Sequence, residues 1–196
     1  MSDARTCVLV PMKAFGRAKS RLRDHLDDLA RSSLARRMFE RVLTEVRACE
    51  RVQSTVVVTD GAEVAQVARA LGADVLTDPV PTLPGLGPLI DWGLGQLHAQ
   101  AHTRAVVLMA DLPTMEFTDV LALCTLLDHY DVVAAPDRRG RSTNALALHL
   151  PHPAKTAFGH PDSYTAHRAQ AQALGLTLFE LRSPRLAHDL DVAADL

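Results

Sequence analysis

The sequence predicts an α/β fold, a single domain built on a mostly parallel sheet with helices on both faces. Three observations predict it. Short apolar runs rich in β-branched residues alternate with longer stretches of helical periodicity along the whole chain. Strands that alternate with helices imply parallel pairing with right-handed crossovers. The length of 196 residues suits one domain, and no linker, low-complexity tract or internal repeat divides it.

The elements follow in order. "TCVLVPM" is a buried strand by its length and composition. "SSLARRMFERVLTEVRACE" places Leu34, Met38, Val42 and Val46 four apart, an amphipathic helix with an Arg/Glu outer face. "STVVVTD" is the second strand. "GAEVAQVARALG" is a helix, with Asp60 as the expected cap, Glu63 three residues on, and Gly72 as its close. "ADVLTD" is the third strand. The Pro/Gly loop "PVPTLPGLG" leads into the helix "PLIDWGLGQLHAQ", with Pro88 in its first turn. "RAVVLMADLP" contains the fourth strand, "EFTDVLALCTLLDHY" a helix, and "DVVAAPD" the fifth strand. After the turn "RRGR", "TNALALHL" reads as a sixth strand, "DSYTAHRAQAQALG" as a helix, and "LTLFELR" as the last strand.

Composition excludes several classes of function. The formal net charge of −2 argues against general nucleic-acid or anionic-membrane binding. No run approaches the ~20 apolar residues of a membrane span, and "MSDARTCVLV" lacks the layout of a signal peptide. Cys7, Cys49 and Cys124 show no C-x-x-C spacing and read as reduced, mostly buried thiols. A cytoplasmic protein is expected, and a homodimer is compatible with the chain.

In such a sheet, ligands gather outside the carboxyl ends of the strands. That rule points to Lys13–Arg23, Asp60, Pro84–Gly87, Asp111 and Asp137–Thr143. The first of these, "MKAFGRAKSRLR", concentrates cations where the first strand ends. It is neither G-x-G-x-x-G nor G-x-x-x-x-G-K-[ST]. A cationic loop entering a helix suits phosphates; a solvated basic turn is the plain alternative. Asp111, just past the apolar run "VVLMA", is costly to desolvate unless a cation or donors meet it, and Mg²⁺ with a substrate phosphate would do so. It could equally be a turn aspartate ahead of Pro113. In "HDLDV", Asp189 and Asp191 would share one face of an extended segment, as metal-facing carboxylates or as a solvated acidic tail. Ser142, Thr143 and Asn144 could orient a small acid or a base, or simply make a turn. Ser163 could be a plain N-cap or could bring a hydroxyl and a helix N-terminus to a phosphate. The nine histidines show no H-E-x-x-H and no zinc spacing, and His188, beside Asp189, is the one histidine that draws notice.

Taken together, "PMKAFGRAKSRL", "MADLP", "PDRRGRSTNAL", "FGHPDSYTAH" and "HDLDVAADL" resemble the 2-phospho-L-lactate guanylyltransferase family of coenzyme F420 biosynthesis. The five motifs occur in the family's order and span nearly the whole chain. The resemblance implies a nucleotidyltransferase-like, Rossmann-like fold. It implies an enzyme that takes GTP and a small phosphorylated three-carbon acid (2-phospho-L-lactate, phosphoenolpyruvate or 3-phosphoglycerate) and releases pyrophosphate. Carried over by motif, Lys13, Lys19 and Arg21 would cradle the triphosphate. Asp111, Asp189 and Asp191 would hold Mg²⁺. Thr143, Gly159 and Ser163 would contact the acid's phosphate. The partners expected are therefore GTP and the acid, with no nucleic acid and no membrane.

The sequence departs from the family's pattern twice. Gly87 in "PGLGPL" stands where the family often has asparagine, and "FGHPDS" has one residue more than the common F-G-x-x-S. Two other readings stay open on the sequence alone. A nucleotidyltransferase with another acceptor, a molybdopterin cofactor or a sugar phosphate, would usually open with an L-x-G-G loop, which "PMKAFGRA" lacks. A non-catalytic nucleotide-binding module has less need of three carboxylates.

Overall fold

The computed structural model describes residues 6–77 and 85–191. Residues 78–84, including Pro84 of the expected ligand rim and most of the Pro/Gly loop, lie outside the described residues.

Among the described residues, seven strands form one sheet: β1 (Thr6–Pro11), β2 (Val52–Thr59), β3 (Asp74–Thr77), β4 (Arg104–Leu108), β5 (Val132–Pro136), β6 (Thr143–His149) and β7 (Leu178–Glu180). Among the described residues, five α-helices accompany them: α1 (Asp28–Ala48), α2 (Ala62–Ala70), α3 (Leu86–Ala99), α4 (Phe117–Leu126) and α5 (Ser163–Ala173). The spatial order is β3-β2-β1-β4-β6-β5-β7. All neighbours pair parallel except β6, which runs antiparallel to both β4 and β5. The sheet is thus mixed, as a six-residue turn between β5 and β6 leaves no room for a crossover helix.

The two-residue period of the strands sorts the core. Val8, Val10, Val57, Val106 and Leu108 face α1, α2 and α4. Cys7, Leu9, Val56, Val58 and Val107 face α3 and α5. β1 and β4 are buried along their whole length on both faces, which explains their unbroken apolar runs. Cys7, Cys49 and Cys124 are free and buried, as expected. Among the described residues, no helix is long and apolar enough to cross a membrane.

The topology dictates where a ligand can sit. From β1 the chain moves to β2 on one side, and β4 lies on the other side of β1. The crevice between the carboxyl ends of β1 and β4 is the switch point of the sheet. Because β6 is antiparallel, its first residues lie on this same rim: Ala145 pairs with Leu108, and the Asn144 carbonyl accepts from Met109 N–H at 3.0 Å.

Two helix starts differ from the sequence expectation. α1 begins four residues earlier than "SSLARR", because the Asp27 side chain caps it by accepting from Ala30 N–H at 2.7 Å. Asp60 does not cap α2. Gly61 holds the N-cap position, and the Asp60 carboxylate turns instead to Arg17 and to Ala14 N–H. The cause is close packing: a Cβ at Gly61 would lie 2.8 Å from Ala14 Cα, so the basic loop lies directly over the start of α2.

Candidate active site

After β1 the chain makes two 3-10 turns, Phe15–Arg17 and Ser20–Leu22. Phe15, Ala18 and Leu22 point inward and anchor the loop, which turns the cations outward along the rim. Lys19, between the turns, adopts a left-handed backbone with φ 53°. The buried Arg31 of α1 steadies it, donating from Nη1 to the Ala18 carbonyl at 2.8 Å and pairing with Asp28. The sequence pattern had started this helix at Ser32, with an Arg/Glu outer face, and left Arg31 outside it. Arg31 is only 1% exposed.

Lys19 is the centre of the site. Its Nζ donates to Asp111 Oδ2 at 2.5 Å and to Asp191 Oδ1 at 3.0 Å. Arg21 Nη1 donates to Asp191 Oδ2 at 3.0 Å. The Lys19 side chain is 7% exposed. Burial works against its charge, but Asp111 and Asp191 outweigh burial and hold the ammonium above its ordinary pKa. Lys13 is exposed and makes no ion pair among the described residues.

A C-terminal strap delivers the second and third carboxylates. Arg185 Nε and Ser183 Oγ both donate to the buried Asp119 of α4, each at 2.7 Å. Leu186 is fully buried, and its carbonyl accepts from Asn144 Nδ2 at 2.9 Å. Leu190 packs with Leu22 and Met38, and its N–H donates to the Asp111 carbonyl at 3.1 Å. Burying Leu190 leaves its neighbours Asp189 and Asp191 on the rim. Asp189 Oδ1 accepts from Asn144 Nδ2 at 3.2 Å. Its pKa is raised, by burial first and by the Asp111 and Asp191 charges, while the Asn144 amide pulls the other way. His188 makes no hydrogen bond or ion pair among the described residues.

Among the described residues, no three His, Cys, Asp or Glu side chains converge as a ready-made metal cage. Asp111 and Asp191 meet on the Lys19 ammonium instead. This donor set, oxygen-only and incomplete, fits Mg²⁺ in its usual mode, held by one or two carboxylates plus substrate phosphates.

A second polar cluster lies where β6 begins. Thr143, Ser163 and His167 are at most 5% exposed. Ser163 Oγ accepts from Thr143 N–H at 2.9 Å. Thr143 Oγ1 and His167 Nδ1 are 2.9 Å apart, and Ala157 N–H donates to His167 Nε2 at 2.9 Å. Ser163 is therefore not the N-cap of α5; Asp162 holds that position, without a side-chain cap. Asn144, next to Thr143, ties this cluster to Asp189. The sequence reading named Asn144 only as a possible turn or orienting group, and missed Arg31 and His167. Only His167 had a signal, its i,i+4 spacing from Ser163 on one helix face.

Burial pushes His167 down to about 4, with His152 adding to the effect. The unfolded chain takes this proton near pH 6.5, whereas the folded protein resists it until about pH 4. Folded stability contributed by neutral His167 is thus present above pH 6.5 and lost as pH falls toward 4. The loss is on the order of 3 kcal/mol. Urea unfolding across this window is expected to show it in the wild type and not in His167→Asn. His152, also lowered by burial, titrates in both proteins.

Gly159 has φ +88°, and its α-carbon faces Leu86 and Gly87 at the start of α3. A Cβ at Gly87 would lie 2.7 Å from the Phe158 carbonyl oxygen. The glycine at 87 is thus a packing requirement of this chain, since asparagine there would displace the loop. His160 and Pro161 are exposed, and Asp162 accepts from Arg141 Nε at 2.7 Å, so the longer loop arches over the surface before Ser163 returns to the interior.

The chain is similar to known proteins over most of its length. Residues 6–196 match the family described as guanylyl transferase CofC like. A phosphoenolpyruvate guanylyltransferase of Sphaerobacter thermophilus is 34% identical over 191 residues, covering 97% of this chain and 90% of that protein. A 3-phospho-D-glycerate guanylyltransferase of Phenylobacterium zucineum is 34% identical over 181 residues, covering 91% and 82%. Among solved structures, glucosyl-3-phosphoglycerate synthase of Mycobacterium tuberculosis, in complex with Mn²⁺, uridine diphosphate and glucosyl-3-phosphoglycerate, superimposes with a TM-score of 0.67 at 16% identity. It covers 91% of this chain and 70% of that one. A cytidylyltransferase of Leptospira borgpetersenii gives a TM-score of 0.63 at 13% identity, covering 97% and 83%. These structural likenesses establish the nucleotidyltransferase-like fold.

Proposed function

The chain belongs to the guanylyl transferase CofC like family, and from that premise we propose that it transfers GMP from GTP to a phosphorylated three-carbon acid. A phosphate oxygen of the acid attacks the α-phosphorus of GTP. The bond from that phosphorus to the β-phosphate bridging oxygen breaks, and pyrophosphate leaves. The acid is phosphoenolpyruvate, 3-phosphoglycerate or 2-phospho-L-lactate, and the product serves coenzyme F420 biosynthesis.

The observation that carries this reading is Lys19, a buried ammonium held by Asp111 and Asp191 at the switch point of the sheet. It supports a site where cations and carboxylates are arranged for a polyanion. Two anions must meet in this reaction, and the transition state spreads negative charge. The chain's work is therefore positioning and electrostatic stabilisation. Lys13, Lys19 and Arg21 take the triphosphate and stabilise the departing pyrophosphate. Thr143, Gly159 and Ser163 take the acid. A phosphate dianion is nucleophilic near neutral pH, so no side chain has to act as general base. Asp111, Asp189 and Asp191 would hold Mg²⁺, which supplies charge neutralisation and alignment of the attacking and α-phosphates.

Pyrophosphate release from GTP tests the reading. It is expected to require both Mg²⁺ and one of the three acids. Release with no acid present, or with a sugar phosphate in preference to all three, would contradict it.

A further inference from the structure

The hydrogen bonds around Thr143 have a fixed direction. Ala157 N–H can only donate, so His167 Nε2 must accept and carries no proton. The proton of the neutral ring is then on Nδ1, which faces Thr143 Oγ1 at 2.9 Å. Thr143 Oγ1 accepts that bond. Thr143 N–H in turn donates to Ser163 Oγ at 2.9 Å, so this oxygen also accepts. Neither hydroxyl donates to any described residue. Each buried hydroxyl has its oxygen engaged by a donor and its own hydrogen left for a further acceptor.

We propose that His167 is a positioning residue for the acid: by donating from Nδ1, it forces Thr143, beside Ser163, to present an O–H donor to an anionic oxygen of the substrate. This rests on the reading of Thr143 and Ser163 as acid contacts. Two adjacent hydroxyls, each left with a hydrogen to donate, suit an oxyanion, a phosphate or carboxylate, and disfavour a ligand that would itself donate there. His167 is well placed to keep this polarity. Burial keeps it neutral at pH 7, and the Phe158 ring packs edge-on against it at 5.1 Å between centroids. His152 is the one charge that adds to burial in lowering His167, and the Asp91 carboxylate on α3, which acts on His152, is engaged by Thr156 N–H at 2.8 Å.

Histidine-selective ¹⁵N NMR of the wild-type protein tests the polarity without any variant. The Nδ1–H tautomer is expected at pH 7; the Nε2–H tautomer or an imidazolium would overturn the proposal. Steady-state kinetics test the consequence. His167→Leu removes the donor, whereas His167→Asn keeps an N–H donor at the δ position in a side chain of similar size. With leucine the KM for the acid should rise by about tenfold, the equivalent of one hydrogen bond, with the KM for GTP unchanged. Asparagine should recover most of that loss. Equal losses in both variants would reduce His167 to packing, and no loss in either would remove its role; both results overturn the proposal. Thr143→Val separates the two layers. If it leaves the acid KM unchanged, the assignment of Thr143 as an acid contact fails. If it raises that KM while His167→Leu does not, only the role of His167 fails.

Discussion

Asp111→Asn is expected to abolish measurable turnover, a loss of at least about a thousandfold, while the protein stays folded. Losing a single preorganised electrostatic contact commonly costs roughly a hundred- to a thousandfold, and here one carboxylate serves two partners. Asp111 lies three residues past β4, at the switch point, and its side chain accepts from Lys19 at 2.5 Å. An amide there is nearly isosteric but carries no charge. It can neither hold Mg²⁺ well nor set the position of the ammonium. The fold should tolerate the change, because residue 111 meets the strap's Leu190 N–H through its backbone carbonyl, which the variant retains, and the strap's other anchors do not involve it. Circular dichroism and a pyrophosphate-release assay on the same preparation check both halves. Activity within a few-fold of wild type would remove Asp111 from the site.

Lys19→Ala is expected to raise the KM for GTP by tenfold or more and to change the KM for the acid much less. Charge-assisted contacts to phosphate are worth roughly 1.5–3 kcal/mol, which is about tenfold or more in affinity. Lys19 is the most buried cation of the loop, and so the least screened by solvent; Arg21 is 72% exposed. Its ion pairs to Asp111 and Asp191 hold the ammonium ready on the rim, with little side-chain entropy left to lose when a phosphate arrives. Equal increases for the two substrates would mean that the loop shapes the site as a whole rather than gripping the nucleotide.

Much of this architecture was legible in the sequence, for physical reasons. Buried parallel strands must be apolar on both faces, so β1, β4 and the end of β2 stand out as unbroken runs. The rule that ligands collect at carboxyl ends then led to the basic loop and to Asp111. What escaped were choices settled by contacts between distant segments. Asp60 had the spacing of a helix cap, but the packing of Ala14 onto Gly61 brought Arg17 within reach and drew the carboxylate away. Arg31 stood one residue before the helix that the sequence indicated. Only the return of the loop over the start of α1 buries it. Ser163 looked like a cap, yet β6 runs antiparallel and brings Thr143 N–H to its hydroxyl first. His167 needed both the Ala157 loop and the start of β6 to acquire a role, and neither contact is local. Leu190 shows the reverse case: the one apolar residue between two aspartates is buried against Leu22 and Met38, as its alternation with the aspartates suggested.

Acid carrying ¹⁸O in all of its non-bridging phosphate oxygens, incubated with GTP, Mg²⁺ and the protein, tests the central claim most directly. Mass spectrometry of the products follows each oxygen. If the acid's phosphate attacks the α-phosphorus, every labelled oxygen is found in the guanylylated acid and the pyrophosphate is unlabelled. GMP formed with the labelled acid unchanged, or label appearing in pyrophosphate, would contradict guanylyl transfer to the acid.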